Sequence, residues 1–245
     1  DEKSIKSGQL SEVDFALTPV TDTLSYTNFT PRITLNWQAN DDLMVYLQAA
    51  KGNKPGGFNA EYYRADVPAE FTRFLLTCTP GDPTPIPLPL GIPCTQEDKD
   101  LLHIAEEEQW TYEAGFKSSW WDRRATANLS VFFIDWINQG LFLVRSVPQI
   151  GSAGGTQTTT TVLTNAGETQ VIGFELETNF AVNDDLFLFL NYGFNKGEFK
   201  KGRNPELADF TGGDGYLTGN ETPDSPTHSL AFGFAATSRL TADAE

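Results

Sequence analysis

The sequence predicts an all-β protein, and more specifically an antiparallel β-barrel that spans a membrane. Three observations predict it. Apolar and polar residues alternate with period two in segment after segment, aromatic residues make up 12 % of the chain, and short connections between the segments alternate with long ones. Alternation of polarity is the pattern of a strand with two unlike faces, and aromatic side chains favour strands.

Composition limits the classes of protein that the chain can belong to. Its 245 residues are 39 % hydrophobic, a level typical of folded chains, and the formal net charge is -16. Nucleic acid is not an expected partner, because phosphate binding needs clustered lysine and arginine. No apolar run reaches the 18 or more residues of a membrane helix. A membrane-spanning β-strand needs only about 9 to 11 residues of alternating polarity, which this chain has.

The first pair of predicted strands lies on either side of a short turn at residues 39–42. Ile33, Leu35 and Trp37 fall on one face of the first strand, and Arg32 falls on the other. After the second strand, the stretch KGNKPGGFN (Lys51–Asn59) has the glycines and proline that end a strand. It opens a predicted long loop over residues 55–107.

Two further strand pairs repeat this arrangement. The turn at 121–124 and the turn AVNDD are short, whereas long loops are predicted at 139–167 and 200–226. In QVIGFELETNF the apolar residues fall on the opposite face from Glu175 and Glu177. A last predicted strand, THSLAFGFAATS, again has apolar residues on one face.

The order of the connections predicts how the sheet is placed. All the short turns fall at one end of the sheet and all the long loops at the other, as in bacterial outer-membrane barrels, which have tight periplasmic turns and long extracellular loops. We therefore expect the apolar faces to contact lipid and the polar faces to line an aqueous lumen. Aromatic residues near the strand ends are expected to form the girdle at the membrane interface: Trp37, Trp110, Tyr112, Trp120 and Trp121.

The two cysteines, Cys78 and Cys94, lie in one proline-rich segment, CTPGDPTPIPLPLGIPC. This segment lacks the further Cys or His ligands of a zinc site. The favoured interpretation is a disulfide that closes a loop in an oxidising compartment, and the alternative is two unpaired thiols.

No set of residues predicts catalysis, a metal site or a cofactor, so we do not expect an enzyme. The histidines His103 and His228 flank loops or strand ends, where a structural role is expected for each. Glu175 and Glu177 share a face, as paired glycosidase carboxylates can, but strand alternation explains them as residues that face the lumen.

Several segments in order resemble the β-barrel of the TonB-dependent receptors. They are TPRITLNWQANDDLMVYLQAAKGNKPGGFN, EEEQWTYEAGFKSSWWDRRATANLSVFFIDW, NAGETQVIGFELETNF and DSPTHSLAFGF. The resemblance implies a 22-stranded plugged barrel, of which this chain holds about seven or eight strands. We expect residues 1–245 to be an internal part of one barrel domain, with the plug domain and the C-terminal strands outside it.

The resemblance also implies a function, which is uptake across the outer membrane of a Gram-negative bacterium. The implied partners are the lipid bilayer, lipopolysaccharide, the TonB complex through an N-terminal region outside this chain, and a scarce ligand such as an iron–siderophore complex, cobalamin or a carbohydrate. Candidate residues along the ligand path face the lumen: Arg32, Glu113, Lys117, Glu175 and Glu177. Two alternatives stay open, a passive porin-like barrel and a secreted glycan-binding β-sandwich.

Overall fold

The structure, a computed structural model, describes residues 2–10, 17–64, 67, 72, 75–77, 79, 102–148, 157–204, 212–223 and 225–237. These residues form β-strands almost throughout, with a short 3-10 helix at Ala60–Tyr63. In the part of the chain so described, no helix is long and apolar enough to cross a membrane. The strands are β1 (Glu2–Leu10), β2 (Leu17–Ser25), β3 (Arg32–Asn40), β4 (Leu43–Lys54), β5 (Gly57–Phe58), β6 (His103–Ile104), β7 (Glu107–Trp120), β8 (Ala125–Pro148), β9 (Gln157–Ala181), β10 (Leu186–Gly202) and β11 (His228–Ala236).

One antiparallel sheet contains seven of these strands, in the order β11-β10-β9-β8-β7-β4-β3. The turns between β3 and β4, β7 and β8, and β9 and β10 are short and lie at one end of the sheet. The long connections lie at the other end. The sheet is not closed, since β3 and β11 lie at its two edges. The predicted all-β antiparallel fold and its alternation of short and long connections are confirmed.

The register divides the main sheet into two unlike faces. Ala114 of β7 lies opposite Leu47 on one side and Val131 on the other, and Val131 lies opposite Phe174 of β9. Residues directly opposite each other share a face, so this face is apolar across neighbouring strands. It is also exposed, with Ile33 65 % and Phe232 75 % accessible. Exposed apolar surface of this extent indicates contact with lipid or with a protein partner.

Among the described residues, the cluster of buried core side chains lies at the long-loop end of the sheet. Phe58 and Leu76 pack against a cluster of buried side chains contributed by the first long loop and by β9, namely Tyr62, Tyr63, Val67, Leu75, Leu102 and Val162. We call the loop residues of this cluster, together with Phe58 and His103, the cap. A single open sheet encloses no core of its own, so the described loop residues supply most of this buried cluster.

The predicted long loop at 139–167 is wrong over most of its length. β8 continues to Pro148 and β9 begins at Gln157, and the two strands pair beyond the sheet with Val144 opposite Thr161. Threonine is β-branched and favours strands, so the threonine run at residues 158–161, inside the predicted loop, forms one side of a hairpin. Register shifts between Trp136 and Gly140 separate this upper hairpin from the lower part of the pair.

A second difference concerns the first residues. The segment DEKSIK has the pattern of the end of one strand, whereas β1 and β2 form an antiparallel hairpin with Ile5 opposite Asp22. The segment LTPVTDTLS (Leu17–Ser25) contains a proline and has no regular alternation of polarity, so its sequence does not predict a strand. This hairpin is a sheet separate from the seven-stranded one.

The turn between β7 and β8 holds non-glycine residues in the left-handed region of backbone space. Asp122 has a φ of +54° and Arg123 a φ of +65°, and the amide of Arg124 donates to the carbonyl of Trp121 at 3.1 Å. Asp122 and Arg123 thus take the two central positions of a tight hairpin turn that Asn-Gly fills most readily. For an L-residue other than glycine the left-handed conformation costs about 1–2 kcal/mol.

Arg123→Gly is therefore expected to stabilise the protein by about 1 kcal/mol, because glycine adopts this conformation without the steric cost. Urea unfolding of the full-length protein in detergent measures the change. Asp185→Gly is the matched control, since none of the described residues of the β9–β10 turn has a positive φ. There we expect a loss of about 0.5–1 kcal/mol. A loss of stability in Arg123→Gly would contradict the assigned turn geometry.

Candidate functional site

The predicted ligand-path residues all fall on the polar face of the sheet. Gln48 lies opposite Glu113, Ser130 lies between Gly115 and Glu175, and Asn128 lies between Lys117 and Glu177. Arg32 lies opposite Ala50. Ala50 is two residues from Gln48 on β4, so the two share a face of the sheet. The register thus brings Arg32, Glu113, Lys117, Glu175 and Glu177 to one face, across strands β3 to β9.

Two of these residues are held by neighbouring side chains. The guanidinium of Arg32 donates to Gln48 Oε1 from Nε at 3.0 Å and from Nη2 at 2.5 Å. The hydroxyl of Tyr46 donates to Glu113 Oε1 at 2.5 Å. These cross-strand bonds fix the orientation of one positive and one negative group.

Glu175 and Glu177 line a shallow groove on the polar face. The groove has a volume of about 300 Å³, and Asn191, Gly193 and Ser229 contribute to its walls. Both glutamates are exposed. The groove offers carboxylate, amide and hydroxyl groups to a polar ligand.

The aromatic residues predicted to form a girdle separate into two levels. Trp37, Trp120 and Trp121 lie near the short-turn end, and Trp120 and Trp121 are 57 % and 70 % exposed. Trp110 and Tyr112 lie at the other end of β7 and stack with their ring centroids 6.0 Å apart. Trp110 and Trp120 are ten positions apart, about 33 Å along a strand. For a strand tilted by about 40° from the barrel axis, this separation corresponds to about 25 Å along that axis. The apolar band of an outer-membrane barrel has the same height.

A cluster of polar groups that the sequence does not predict joins the cap to β2. Asp22 Oδ2 on β2 accepts a hydrogen bond from the Tyr63 hydroxyl at 2.9 Å and lies 2.5 Å from His103 Nε2. The ring of Phe58 meets both the Tyr63 ring and the His103 ring edge-on, at centroid distances of 5.9 and 5.8 Å. One carboxylate therefore joins β2 to two separate parts of the first long loop.

The other side of the cap is joined to the upper part of β9 by asparagine side chains. Asn59 Nδ2 donates to the backbone carbonyl of Leu163 at 2.8 Å, and Asn59 Oδ1 accepts from the backbone amide of Leu163 at 2.9 Å. Asn165 Oδ1 accepts from the amide of Ala105 at 2.7 Å, and its Nδ2 donates to the Ala105 carbonyl at 3.1 Å. Each amide side chain satisfies both backbone groups of one residue, as a neighbouring strand would.

At the base of the cap, Glu107 is buried and holds an ion pair. Its side chain is 4 % exposed, and Lys54 Nζ lies 2.7 Å from its Oε1. The indole of Trp136 donates to its Oε2 at 3.1 Å. A carboxylate this deeply buried requires such partners, because burying an unpaired charge is costly.

Burial raises the pKa of Tyr63 well above its ordinary value, and the hydrogen bond to Asp22 and the charge of Asp22 raise it further. In the unfolded chain a tyrosine ionises near pH 10. The stabilising contribution of Tyr63 is therefore complete below about pH 10 and is lost as the pH rises towards the folded-state pKa.

We expect Tyr63 to ionise later than free tyrosine in an absorbance titration of phenolate. Subtracting the titration curve of Tyr63→Phe from that of the wild type should leave one tyrosine that ionises at a higher pH than free tyrosine, the reference compound. If that group titrated together with free tyrosine, the buried hydrogen bond to Asp22 would be contradicted.

Little in the sequence identifies this cluster. The sequence marks His103 only as a residue that flanks a loop, and Asp22 lies 81 residues from His103 and 41 from Tyr63. Hydrogen bonds over such separations leave no local pattern. The predicted disulfide between Cys78 and Cys94 lies outside the described residues.

Comparison with known families covers almost the whole chain. Residues 6–242 match the family model described as "TonB dependent receptor-like, beta-barrel". The chain belongs to the TonB-dependent receptors. The matched region is their β-barrel, as the sequence segments predicted. This family consists of outer-membrane receptors and is not a family of enzymes.

Solved structures of this family share the fold. The ferric yersiniabactin uptake receptor FyuA from Yersinia pestis is 15 % identical, with a TM-score of 0.54 over 91 % of this chain and 25 % of that one. The copper transporter OprC is 15 % identical, with a TM-score of 0.52 over 97 % and 29 %. The siderophore receptor PiuA from Acinetobacter baumannii is also 15 % identical, with a TM-score of 0.51 over 91 % and 25 %.

These comparisons show how much of a whole receptor the chain represents. It spans about a quarter of the length of the solved receptors that it matches. The open sheet with two edges is therefore one arc of a barrel wall. The alternative of a secreted β-sandwich does not agree with membership in this family.

Proposed function

We propose that this chain is part of the barrel of an active transporter that takes up a scarce ligand, such as an iron–siderophore complex, with energy supplied through TonB. The observation that carries the proposal is the family match over residues 6–242. FyuA is described as an uptake receptor for ferric yersiniabactin, and PiuA as a siderophore receptor. Cobalamin and carbohydrate are the other ligand classes that we consider.

The two faces of the sheet support this function. The apolar face suits the lipid bilayer, and the level of Trp110 and Tyr112 suits contact with lipopolysaccharide head groups. On the polar face, Arg32, Glu113, Lys117, Glu175 and Glu177 offer both signs of charge to a ligand that passes through the lumen. The long loops at the opposite end from the short turns are placed to meet the ligand first.

The proposal includes the parts of the receptor that lie outside this chain. Residues 1–245 form part of one barrel domain, and a plug domain and C-terminal strands complete the protein. A plug is needed because an open barrel of this size would leave an aqueous channel. Contact with the TonB complex is assigned to the N-terminal region outside the chain.

Uptake by cells that carry or lack the full-length receptor tests the function. Cells given ferric chelates labelled with radioactive iron are expected to accumulate iron only when the receptor is present, TonB is intact and the proton-motive force is not collapsed. Accumulation that continues without TonB would support a passive porin-like barrel instead. If copper, cobalamin or a carbohydrate is accumulated in place of iron, the transporter stands and the ligand class changes.

A further inference from the structure

The apolar face of β10 becomes charged at Lys196. Alternate residues of this strand share a face, and on the apolar face they are, from the short-turn end, Leu186, Leu188, Leu190, Tyr192 and Phe194. Lys196 and Glu198 follow on the same face. The register agrees, because Phe194 lies opposite Phe174 and Lys196 lies opposite Ile172. Lys196 therefore marks the point at which this face stops being suited to hydrocarbon.

The position of Lys196 along β10 matches the upper limit of a membrane-spanning band. Lys196 is ten positions from Leu186, the first residue of the strand. Ten positions extend for about 33 Å along a strand, or about 25 Å along the axis of a barrel whose strands tilt by about 40°. The apolar band of an outer-membrane barrel is about 25 Å high. The charged part of β10 thus begins where that band ends, on the side of the long loops.

The charged end of this face, which we call the basic edge, is defined by Lys196, Lys200 and Lys201. Lys200 Nζ lies 2.8 Å from Glu198 Oε1, and Lys201 Nζ lies 2.8 Å from Glu168 Oε1. Glu168 shares its face with Ile172, four residues further along β9. A third carboxylate, that of Glu221, belongs to the residue opposite Glu198.

Lys196 differs from the other two lysines of the basic edge. It is exposed, and it forms no ion pair with any residue that the structure describes. Lys200 and Lys201 are also exposed, and exposed ion pairs are weak. A lysine ammonium has three N–H donors, so Lys200 and Lys201 can each donate to a second acceptor while they keep their carboxylates. The edge therefore offers donors to an anionic ligand.

The surroundings of the basic edge indicate which kind of anion fits it. The edge lies on the apolar face, so a ligand in the lumen does not reach it. Leu190, Tyr192 and Phe194 lie directly below Lys196 on the same face, so the ligand needs hydrocarbon beneath its anionic group. The lysines extend over five positions, about 17 Å of strand. A lipid with two separated phosphate groups contacts more of them than a phospholipid with one.

We propose that Lys196, Lys200 and Lys201 bind the phosphate groups of lipid A, the membrane anchor of lipopolysaccharide, with its acyl chains along the apolar residues below. The inference rests on the proposed function, because it places the long-loop end of the sheet at the outer leaflet. It assigns the lipopolysaccharide partner to particular residues. Phosphate oxygens accept charge-assisted hydrogen bonds from ammonium groups, and such bonds are roughly twice as strong as neutral ones.

Native mass spectrometry of the full-length receptor in detergent tests the site with two purified probes. They are lipid A with both phosphates and the same lipid A with its phosphates removed. The wild type is expected to bind the phosphorylated form about tenfold more tightly or better, which corresponds to at least one charge-assisted hydrogen bond. In the triple variant Lys196→Gln/Lys200→Gln/Lys201→Gln this preference should disappear, because glutamine has no charge.

Further variants separate a phosphate site from a general effect on the barrel. Lys196→Gln alone removes a group without an ion pair, so it should fold like the wild type and lose part of the preference. Replacing all three lysines by arginine keeps the charges and should keep the preference. Arg123→Gln is the matched control, since it removes a positive charge in a short turn at the other end of the sheet, and the preference should not change. Urea unfolding in detergent verifies that each variant has folded.

Several results would overturn the proposal. Equal binding of the two forms of lipid A by the wild type, or an unchanged preference in both Lys196→Gln and the triple glutamine variant, would exclude the phosphate site. Phosphatidylglycerol that binds as tightly as lipid A would exclude lipopolysaccharide as the specific partner. Displacement of lipid A by an equal concentration of inorganic phosphate would exclude the contact with hydrocarbon.

Failure of the proposed function is recognised separately, because lipid binding is measured without iron and without TonB. If the lysines confer the preference for phosphorylated lipid A but cells accumulate no labelled iron through the receptor, the lipid site stands and the transport proposal fails. If uptake depends on TonB but the two forms of lipid A bind equally, only the lipid site fails.

Discussion

Val131→Arg is expected to lower the free energy of unfolding of the full-length receptor by about 2–4 kcal/mol, the cost of an arginine on the lipid face near the bilayer midplane. Val131 lies on the apolar face, opposite Ala114 and Phe174, and is 47 % exposed. It lies well inside its strand, between the two aromatic levels. Urea unfolding in lipid vesicles measures the change.

Asn128→Arg is the matched control on the same strand. Asn128 lies on the opposite face, between Lys117 and Glu177, where water and a neighbouring carboxylate can solvate a guanidinium. A change within about 0.5 kcal/mol is expected there, as for an ordinary solvated site. Equal effects of the two arginines would show that the apolar face does not contact lipid, and the assignment of the faces would have to be abandoned.

Gly173→Ala is expected to cost about 1–3 kcal/mol, the usual range for overpacking a tight site. A Cβ at Gly173 would lie 2.4 Å from the Phe132 ring and 2.5 Å from the carbonyl oxygen of Phe194. Phe132 is the direct cross-strand partner of Gly173, so its ring lies over the glycine. The backbone carbonyl cannot move without disturbing the β9–β10 pairing.

Gly52→Ala provides the control on another strand of the sheet, because nothing lies within 4 Å of the added Cβ. Here alanine should be neutral or stabilise by up to about 1 kcal/mol, since glycine in a strand loses more conformational entropy on folding. Combining Gly173→Ala with Phe132→Leu should recover part of the loss, as the smaller side chain leaves room. Urea unfolding of the variants measures these changes in the free energy of unfolding. A harmless Gly173→Ala would contradict the packing of Phe132 on Gly173.

The same arrangement of an aromatic ring over a glycine recurs across the polar face. Tyr46 lies opposite Gly115, and Phe189 lies opposite Gly233, with ring atoms 2.7 Å from the point that a Cβ would occupy at each glycine. Glycine weakens a strand, and a ring laid over it from the neighbouring strand compensates by covering the exposed backbone.

The alternation of residues by itself determined the faces of the main sheet. Because successive side chains on a strand point to opposite sides, Leu35 and Trp37 could be separated from Arg32, and Ile172 from Glu175, before any pairing was known. The short turns could be placed because turn residues interrupt this alternation. The order of these segments resembled the TonB-dependent receptors, and the family match over residues 6–242 confirmed the membership.

Only the tertiary structure decided how the long-loop end is built. The extension of β8 and β9 depends on pairing between Val144 and Thr161, and the cap depends on Asp22 meeting Tyr63 and His103. Such contacts join residues that are distant in sequence, and their stability comes from burial and charge that arise only when the loops pack together. The local alternation of residues indicates which side of a strand is polar and which is apolar. It does not indicate which residues distant in sequence form hydrogen bonds with each other.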